Sequence, residues 1–116
     1  MDTADVLQIR KGLELLSKDL KSISDALEKI VEHHIKTPMA GRTHLQHALP
    51  ISFGYKASTW LSGIDRHHKR LEEIKKRIFN VSFFGAAGTL ASLGEHDGIK
   101  TQSTLAEELN LNVPDV

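Results

Sequence analysis

Val6, Ile9, Leu13, Leu16, Leu20, Ile23, Leu27, Ile30 and His34 follow a 3-4-3-4 rhythm along the first third of the chain, and all but the last are aliphatic. Spacing of this kind, sustained over four repeats, is a heptad seam, in which apolar positions recur along one face of a helix. Between them stand mostly Lys, Glu, Asp and Ser, with Leu7, Leu15 and Val31 widening the stripe. The pattern predicts a helix from about Ala4 to about Ile35, roughly 48 Å long at ~1.5 Å per residue. Only Gly12 weakens it, by about 1 kcal/mol relative to Ala.

The rhythm returns at Phe53, Ala57, Trp60, Ile64, His67, Leu71, Ile74, Ile78 and Val81, now as 4-3-4-3. A second helix is predicted from about Pro50 to about Phe79, with Pro50 in the first turn, where a missing N–H costs little. Arg66, Lys69, Arg70, Glu72, Glu73, Lys75, Lys76 and Arg77 alternate in sign on the outer face. Such a run reads as a solvated, salt-bridged face rather than a nucleic-acid patch. Four glycines, Gly85, Gly88, Gly94 and Gly98, punctuate a turn-rich stretch from Phe83 to Gly98. A last helix is expected over about Ile99–Leu109, with capping-box spacing at Thr104-Leu-Ala-Glu107 and with Pro114 limiting its extension.

These elements predict an all-α chain of two long antiparallel heptad-patterned helices plus a short C-terminal helix. A compact domain of this length is about 35 Å across, less than the first helix alone. Two such helices side by side cannot bury both seams. The chain therefore reads as a piece of a larger helical bundle, completed by more chain or more subunits.

Composition narrows the function classes. The 116 residues carry 15 Lys+Arg and 15 Asp+Glu, a formal net charge of zero, which argues against general electrostatic binding of nucleic acid. No cysteine is present, so a disulfide scaffold and thiolate metal ligation are excluded. No apolar run approaches the ~20 residues that span a bilayer, and the first ten residues lack the pattern of a signal peptide. A cytoplasmic chain without a membrane partner is the expectation.

The candidate chemistry lies between the long helices. The segment from Lys36 to Leu49 is expected to hold no long regular element, and it gathers Arg42, Thr43, His44, Gln46 and His47. Arg42 can clamp a carboxylate in a fork. Thr43 and Gln46 can orient substrate oxygens, and His44 can shuttle a proton near neutral pH. On spacing alone, the same groups can equally satisfy loop backbone and one another. His33-His34 and His67-His68 read as packing imidazoles, one of each pair on a seam. A metal site is not expected, since the loop has neither an HExxH context nor carboxylates. Gly85-Ala-Ala-Gly88-Thr89 can admit an anion to its backbone or serve close packing. It is not a P-loop.

Thr37-Pro-Met-Ala-Gly-Arg-Thr-His-Leu-Gln-His-Ala-Leu-Pro-Ile-Ser-Phe-Gly54 resembles the second signature region of the fumarase/aspartase superfamily. Phe84-Gly-Ala-Ala-Gly-Thr-Leu-Ala-Ser-Leu93 resembles the stretch after the long helix in the same family, in matching order and spacing. The adenylosuccinate lyase and 3-carboxy-cis,cis-muconate cycloisomerase branches are the most similar. The resemblance covers nearly the whole chain and implies an internal fragment of the central helical domain. Asp2-Thr3-Ala4-Asp5 looks like the sequence just after the first signature region, so Met1 reads as an internal methionine.

The resemblance further implies a homotetramer with each active site built from three subunits, no cofactor, and a small dicarboxylate-bearing substrate. A base outside this chain removes the proton beside a carboxylate, an aci-carboxylate forms, and fumarate leaves. His44 matches the histidine that protonates the leaving group. Thr43 matches the hydroxyl beside it, and Arg42, Gln46 and Thr89 are the further substrate-binding candidates. Bacterial cycloisomerases of the family can carry Trp where this chain has His44, which favours elimination. Leu45-Gln46 and Leu90 depart from the Gly-Val and Gln of purine-pathway lyases. Adenylosuccinate-lyase-like elimination comes first, cycloisomerisation second, and a non-catalytic helical interaction module is the reading from another class. The isolated chain is expected to be inactive.

Overall fold

The computed structural model describes residues 3–94 and 97–115. The sequence reading of Met1 and Asp2 lies outside that range. In order, the chain forms α1 (Thr3–His33), β1 (Pro38–Thr43), β2 (Gln46–Ser52), α2 (Phe53–Ile78), a short 3-10 turn (Ala91–Leu93) and α3 (Asp97–Leu109). The three helices stand where the periodicity puts them. The chain is nevertheless not all-α, because the segment between the long helices is a two-stranded antiparallel hairpin. Pro50 lies inside β2 opposite Ala40 rather than in the first turn of α2. A two-stranded ribbon consists of edge strands, which tolerate a missing donor.

The chain divides into two compact units, one spanning Leu15–Leu71 and the other formed by the chain before Leu15 and after Leu71. Within Leu15–Leu71, the two helix segments run antiparallel. Lys21, Ser24 and Glu28 of α1 line one cleft with Asp65, His68 and Lys69 of α2. Val31 O near the end of α1 and Ile35 just past it lie against Gly54, at the other end of the α2 segment.

The inward positions of α1 in this unit are Ser17, Leu20, Ser24, Leu27 and Val31, and those of α2 are Gly54, Ala57, Leu61, Ile64 and His68. Both sets keep 3-4 spacing, but each is displaced from the expected seam. Leu20 and Leu27 are common to both readings of α1, as Ala57 and Ile64 are for α2. The other inward places are held by Ser17, Ser24 and Val31 on α1 and by Gly54, Leu61 and His68 on α2, half of them small. Leu16, Ile23 and Ile30, with Trp60 of α2, instead face outward, at 45%, 45%, 36% and 48% exposure. Each heptad pattern thus supplies one inward and one outward column. A coiled-coil helix that packs against more than one neighbour shows this double face.

The first histidine pair keeps its expected place and the second is displaced. The half-buried His34 ring packs edge-on against Phe53 and His33, and its Nδ1 shares a 3.1 Å hydrogen bond with Thr37 Oγ1. In the second pair, His68 rather than His67 turns inward, and its Nε2 is enclosed. His67 is exposed and accepts a 2.8 Å hydrogen bond at Nδ1 from Arg70 Nη2. On the surface, Lys21 donates to Asp25 at 2.6 Å, and that hydrogen bond holds the ammonium above its ordinary pKa.

The other unit is closed by backbone pairing as well as apolar packing. Val6, Val81 and Ala106 are buried. Thr3 Oγ1 bonds both Ser82 O and Ser82 N–H, tying the start of α1 to the segment after α2. Val81 N–H donates to Asn112 O at 2.9 Å and Asn112 N–H to Phe79 O at 2.7 Å. Buried Gln102 donates to Phe83 O at 3.0 Å.

Helix α3 stops because Asn110 adopts a left-handed conformation, φ 50°. Leu111 N–H then returns to Ala106 O and Asn110 N–H to Glu107 O, the Schellman pattern. Arg10 Nη1 covers the Leu109 carbonyl at 2.7 Å. The stop therefore precedes Pro114. Thr104 lies in mid-helix and caps nothing, since α3 begins at Asp97.

The outward column has a measurable consequence. Contiguous apolar surface of this kind is uncommon on a soluble monomer. The isolated 116-residue chain is expected to self-associate or to lose fixed side-chain packing. Sedimentation equilibrium with near-ultraviolet dichroism checks this. A well-packed monomer that unfolds cooperatively would contradict the outward faces being interfaces. No helix among the described residues is long and apolar enough to cross a membrane.

Candidate active site

The hairpin is built from its two ends. At its base, Phe53 N–H donates to Thr37 O at 2.8 Å and Gly54 N–H to His34 O at 2.9 Å. The start of α2 is thereby held against the end of α1. A Cβ at Gly54 would lie 2.8 Å from Ile35 N, Ile35 Cα and Val31 O, so only glycine fits there.

About halfway out, the register slips between Ala40 and Arg42, with Ala48 and Leu49 together opposite Gly41. This is a bulge. A Cβ on Gly41 would come within 2.5 Å of Leu49 O. Both glycines are absent from the sequence-derived site, although glycine before a catalytic-type motif is a signal of close backbone approach.

At the tip, Thr43 pairs with Gln46, and His44-Leu45 forms the two-residue turn. Both turn residues have positive φ, 41° and 63°. A two-residue turn with left-handed residues at both places is the hairpin type that normally takes Asn-Gly. A side chain with a full Cβ costs about 1–2 kcal/mol in that conformation. His44 and Leu45 are solvent-facing, and the exposure of Leu45 reaches 103%.

Cross-strand partners share a face and successive residues alternate. Thr43 and Gln46 therefore stand on one face of the ribbon and Arg42 and His47 on the other. The hairpin brings His44 next to Thr43 and Gln46 in one place. It does not bring Arg42 to the Thr43–Gln46 face, so a single Arg–Thr–Gln cluster is not formed by this ribbon. Thr89 belongs to the other unit, exposed in a turn where Gly85, Gly88 and Leu90 have φ of 70°, 78° and 56°.

Between Lys36 and Lys56 the chain has three basic or imidazole side chains, Arg42, His44 and His47, and no Asp or Glu. A ribbon without carboxylates attracts an anionic substrate rather than repelling it. Among the described residues, no group of three or more His, Cys, Asp or Glu is placed to hold a metal ion.

The tip thus sets an imidazole beside a hydroxyl and an amide, on a ribbon without carboxylates, an arrangement that can offer hydrogen-bond donors to an anion. A family model described as lyase matches residues 1–115, and the chain belongs to that family, within the fumarase/aspartase superfamily. The particular relatives differ in reaction. The 3-carboxy-cis,cis-muconate cycloisomerase of Pseudomonas aeruginosa is 44% identical over 115 residues, covering 99% of this chain and 25% of the relative. The adenylosuccinate lyase of Pyrococcus horikoshii is 40% identical over 111 residues, covering 96% and 24%.

A solved fumarate lyase from Mesorhizobium sp. BNC1 is 59% identical with a TM-score of 0.94, covering 100% of this chain and 27% of that one. The chain thus spans about a quarter of the length of the curated relatives it matches. Relatives 40–46% identical carry four different activities, so identity alone does not select one.

Proposed function

We propose that the chain serves as one segment of a fumarate-releasing lyase of the adenylosuccinate-lyase type, in which His44 protonates the departing nitrogen. The observation that carries this reading is the hairpin tip, which presents an imidazole with Thr43 and Gln46 beside it. A base contributed from outside this chain removes the proton next to a substrate carboxylate. The electron pair moves into that carboxylate as an aci-carboxylate. The C–N bond then breaks, its pair goes to nitrogen, and nitrogen takes the proton from His44. Negative charge accumulates on one carboxylate at the intermediate and is met by preorganised donors. Thr43 and Gln46 are the donors this ribbon supplies. Arg42 and Thr89 bind substrate only if other parts of the assembled protein bring them to it. The working form is a homotetramer in which this hairpin meets loops of other subunits.

The 44% identity to a cycloisomerase supports a second reading, in which the same tip handles the proton of a lactonisation. One assay separates the two. The whole protein is supplied with adenylosuccinate, with fumarate followed as product, and separately with 3-carboxy-cis,cis-muconate. Turnover of adenylosuccinate is expected. Turnover of the muconate alone would replace the first reading by the second, and turnover of neither would overturn both. The 116-residue chain by itself is expected to release no fumarate, because the residue that the family resemblance assigns as base has no match in it.

A further inference from the structure

We propose that His34 is a positioning residue, whose imidazole fixes the direction in which the hairpin presents His44. The inference rests on the elimination reading given above. His34 stands where three elements meet. Its N–H donates to Ile30 O at 3.0 Å and completes the last turn of α1. Its carbonyl accepts from Thr37 N–H at 3.1 Å and from Gly54 N–H at 2.9 Å, so the turn before β1 and the start of α2 are tied to one atom.

Those backbone bonds are open to most residues. The imidazole adds two contacts of its own. Nδ1 shares a 3.1 Å hydrogen bond with Oγ1 of Thr37, the residue just ahead of β1. The ring meets the Phe53 ring edge-on with centroids 5.0 Å apart, and Phe53 meets Trp60 in the same way at 6.3 Å. Phe53 directly follows β2 and donates its N–H to Thr37 O at 2.8 Å. One half-buried side chain thus holds both strands at their root, through Thr37 on one side and Phe53 on the other.

The outer ribbon receives little cover from the rest of the described chain. Every residue from Arg42 to Pro50 is exposed, and a two-stranded ribbon is marginally stable by itself. The 6 residues of β1 separate Thr37 from His44, about 20 Å at ~3.3 Å per residue. A tilt of about 5° at the root moves a tip that far away by roughly 2 Å, and a misplacement of ~1 Å can cost about 10²-fold in rate. The tip carries the proton donor, so its aim is set at His34.

The test compares, in the whole protein, His34→Phe, which keeps a ring but removes Nδ1, with Thr37→Val, which keeps the shape but removes Oγ1. His34→Asn is the conservative variant, because its side-chain amide stands close to the place of Nδ1 and still reaches Thr37. Hydrogen exchange over residues 37–54, read by mass spectrometry, reports the root without turnover, and kcat for fumarate release reports the tip. Exchange should quicken about 3–10-fold in His34→Phe, in Thr37→Val and in the double variant alike, the order that one side-chain hydrogen bond is worth. kcat should fall by a similar factor, and His34→Asn should recover most of it. No further loss should appear in a His44→Gln background, because residues that act as a unit are not additive.

Unchanged exchange in both single variants would overturn the inference whatever the activity. Quickened exchange with unchanged kcat would overturn it too. So would an equal kcat loss in the His44→Gln background, since His34 would then act through something other than His44. A parent protein that releases no fumarate would overturn the elimination reading and the part of His34 in it, while the exchange still shows whether the imidazole holds the root.

Discussion

Replacing His44 by Gln in the whole protein is expected to lower kcat by about 10²–10⁴-fold, the usual contribution of general acid–base catalysis. Glutamine keeps a hydrogen-bonding side chain of similar reach but cannot transfer a proton. Substrate binding should therefore change little, and the loss should appear in kcat rather than KM. His44 sits on an exposed hairpin turn, so the substitution removes no buried packing. The left-handed backbone at this position, φ 41°, is no less accessible to Gln than to His to any degree that would unfold the ribbon. A drop in kcat with unchanged melting temperature is the expected signature. Steady-state kinetics of fumarate release checks it, and a near-normal kcat would make the tip an anchor rather than an acid.

Gly54→Ala is expected to have the largest effect on folding. The new Cβ would meet three backbone atoms at 2.8 Å, Ile35 N, Ile35 Cα and Val31 O. Backbone cannot rotate aside as a side chain does. Overpacking of this kind typically costs about 1–3 kcal/mol. The displaced groups are those that hold the hairpin base, because Gly54 N–H also donates to His34 O. Gly12→Ala is the matched control. No atom lies within 4 Å of a Cβ built there, and an exposed helical glycine changed to alanine gains about 0.5–1 kcal/mol. Thermal melts of the whole protein should therefore rank Gly12→Ala at or above the parent and Gly54→Ala well below it. Equal melting of the two variants would show that α2 does not start against the end of α1.

Much of this architecture is legible in the sequence, and the failures have physical causes. The 3-4 spacing of leucine and isoleucine places α1 and α2 to within a few residues, because a helix is the only element on which that spacing forms one face. It does not say which of two adjacent columns faces the partner. Ser17, Ser24, Gly54 and Ala57 turn inward because small residues admit close approach of helices, while Leu16, Ile23, Ile30 and Trp60 turn outward. Hydrophobicity alone ranks these the other way.

The hairpin is not legible for a similar reason. Its turn is His44-Leu45 rather than Asn-Gly, and its second strand contains Pro50, so both local signals argue against strands. The candidate site residues are suggested by their motif, but the pairing of Thr43 with Gln46 and of Arg42 with His47 needs the strand register. Thr104 shows the converse failure, in which correct capping spacing falls inside a helix already started at Asp97.

Proton donation by His44 is tested most directly by changing the atom that receives the proton. A succinyl thioether analogue of adenylosuccinate replaces the leaving nitrogen by sulfur, and a thiolate departs without being protonated. kcat for the parent and for His44→Gln is measured with both substrates in the whole protein. The His44→Gln loss should be about 10²–10⁴-fold with the nitrogen substrate and should largely disappear with the thioether. An equal loss with both substrates would contradict proton transfer from this hairpin and place the acid elsewhere.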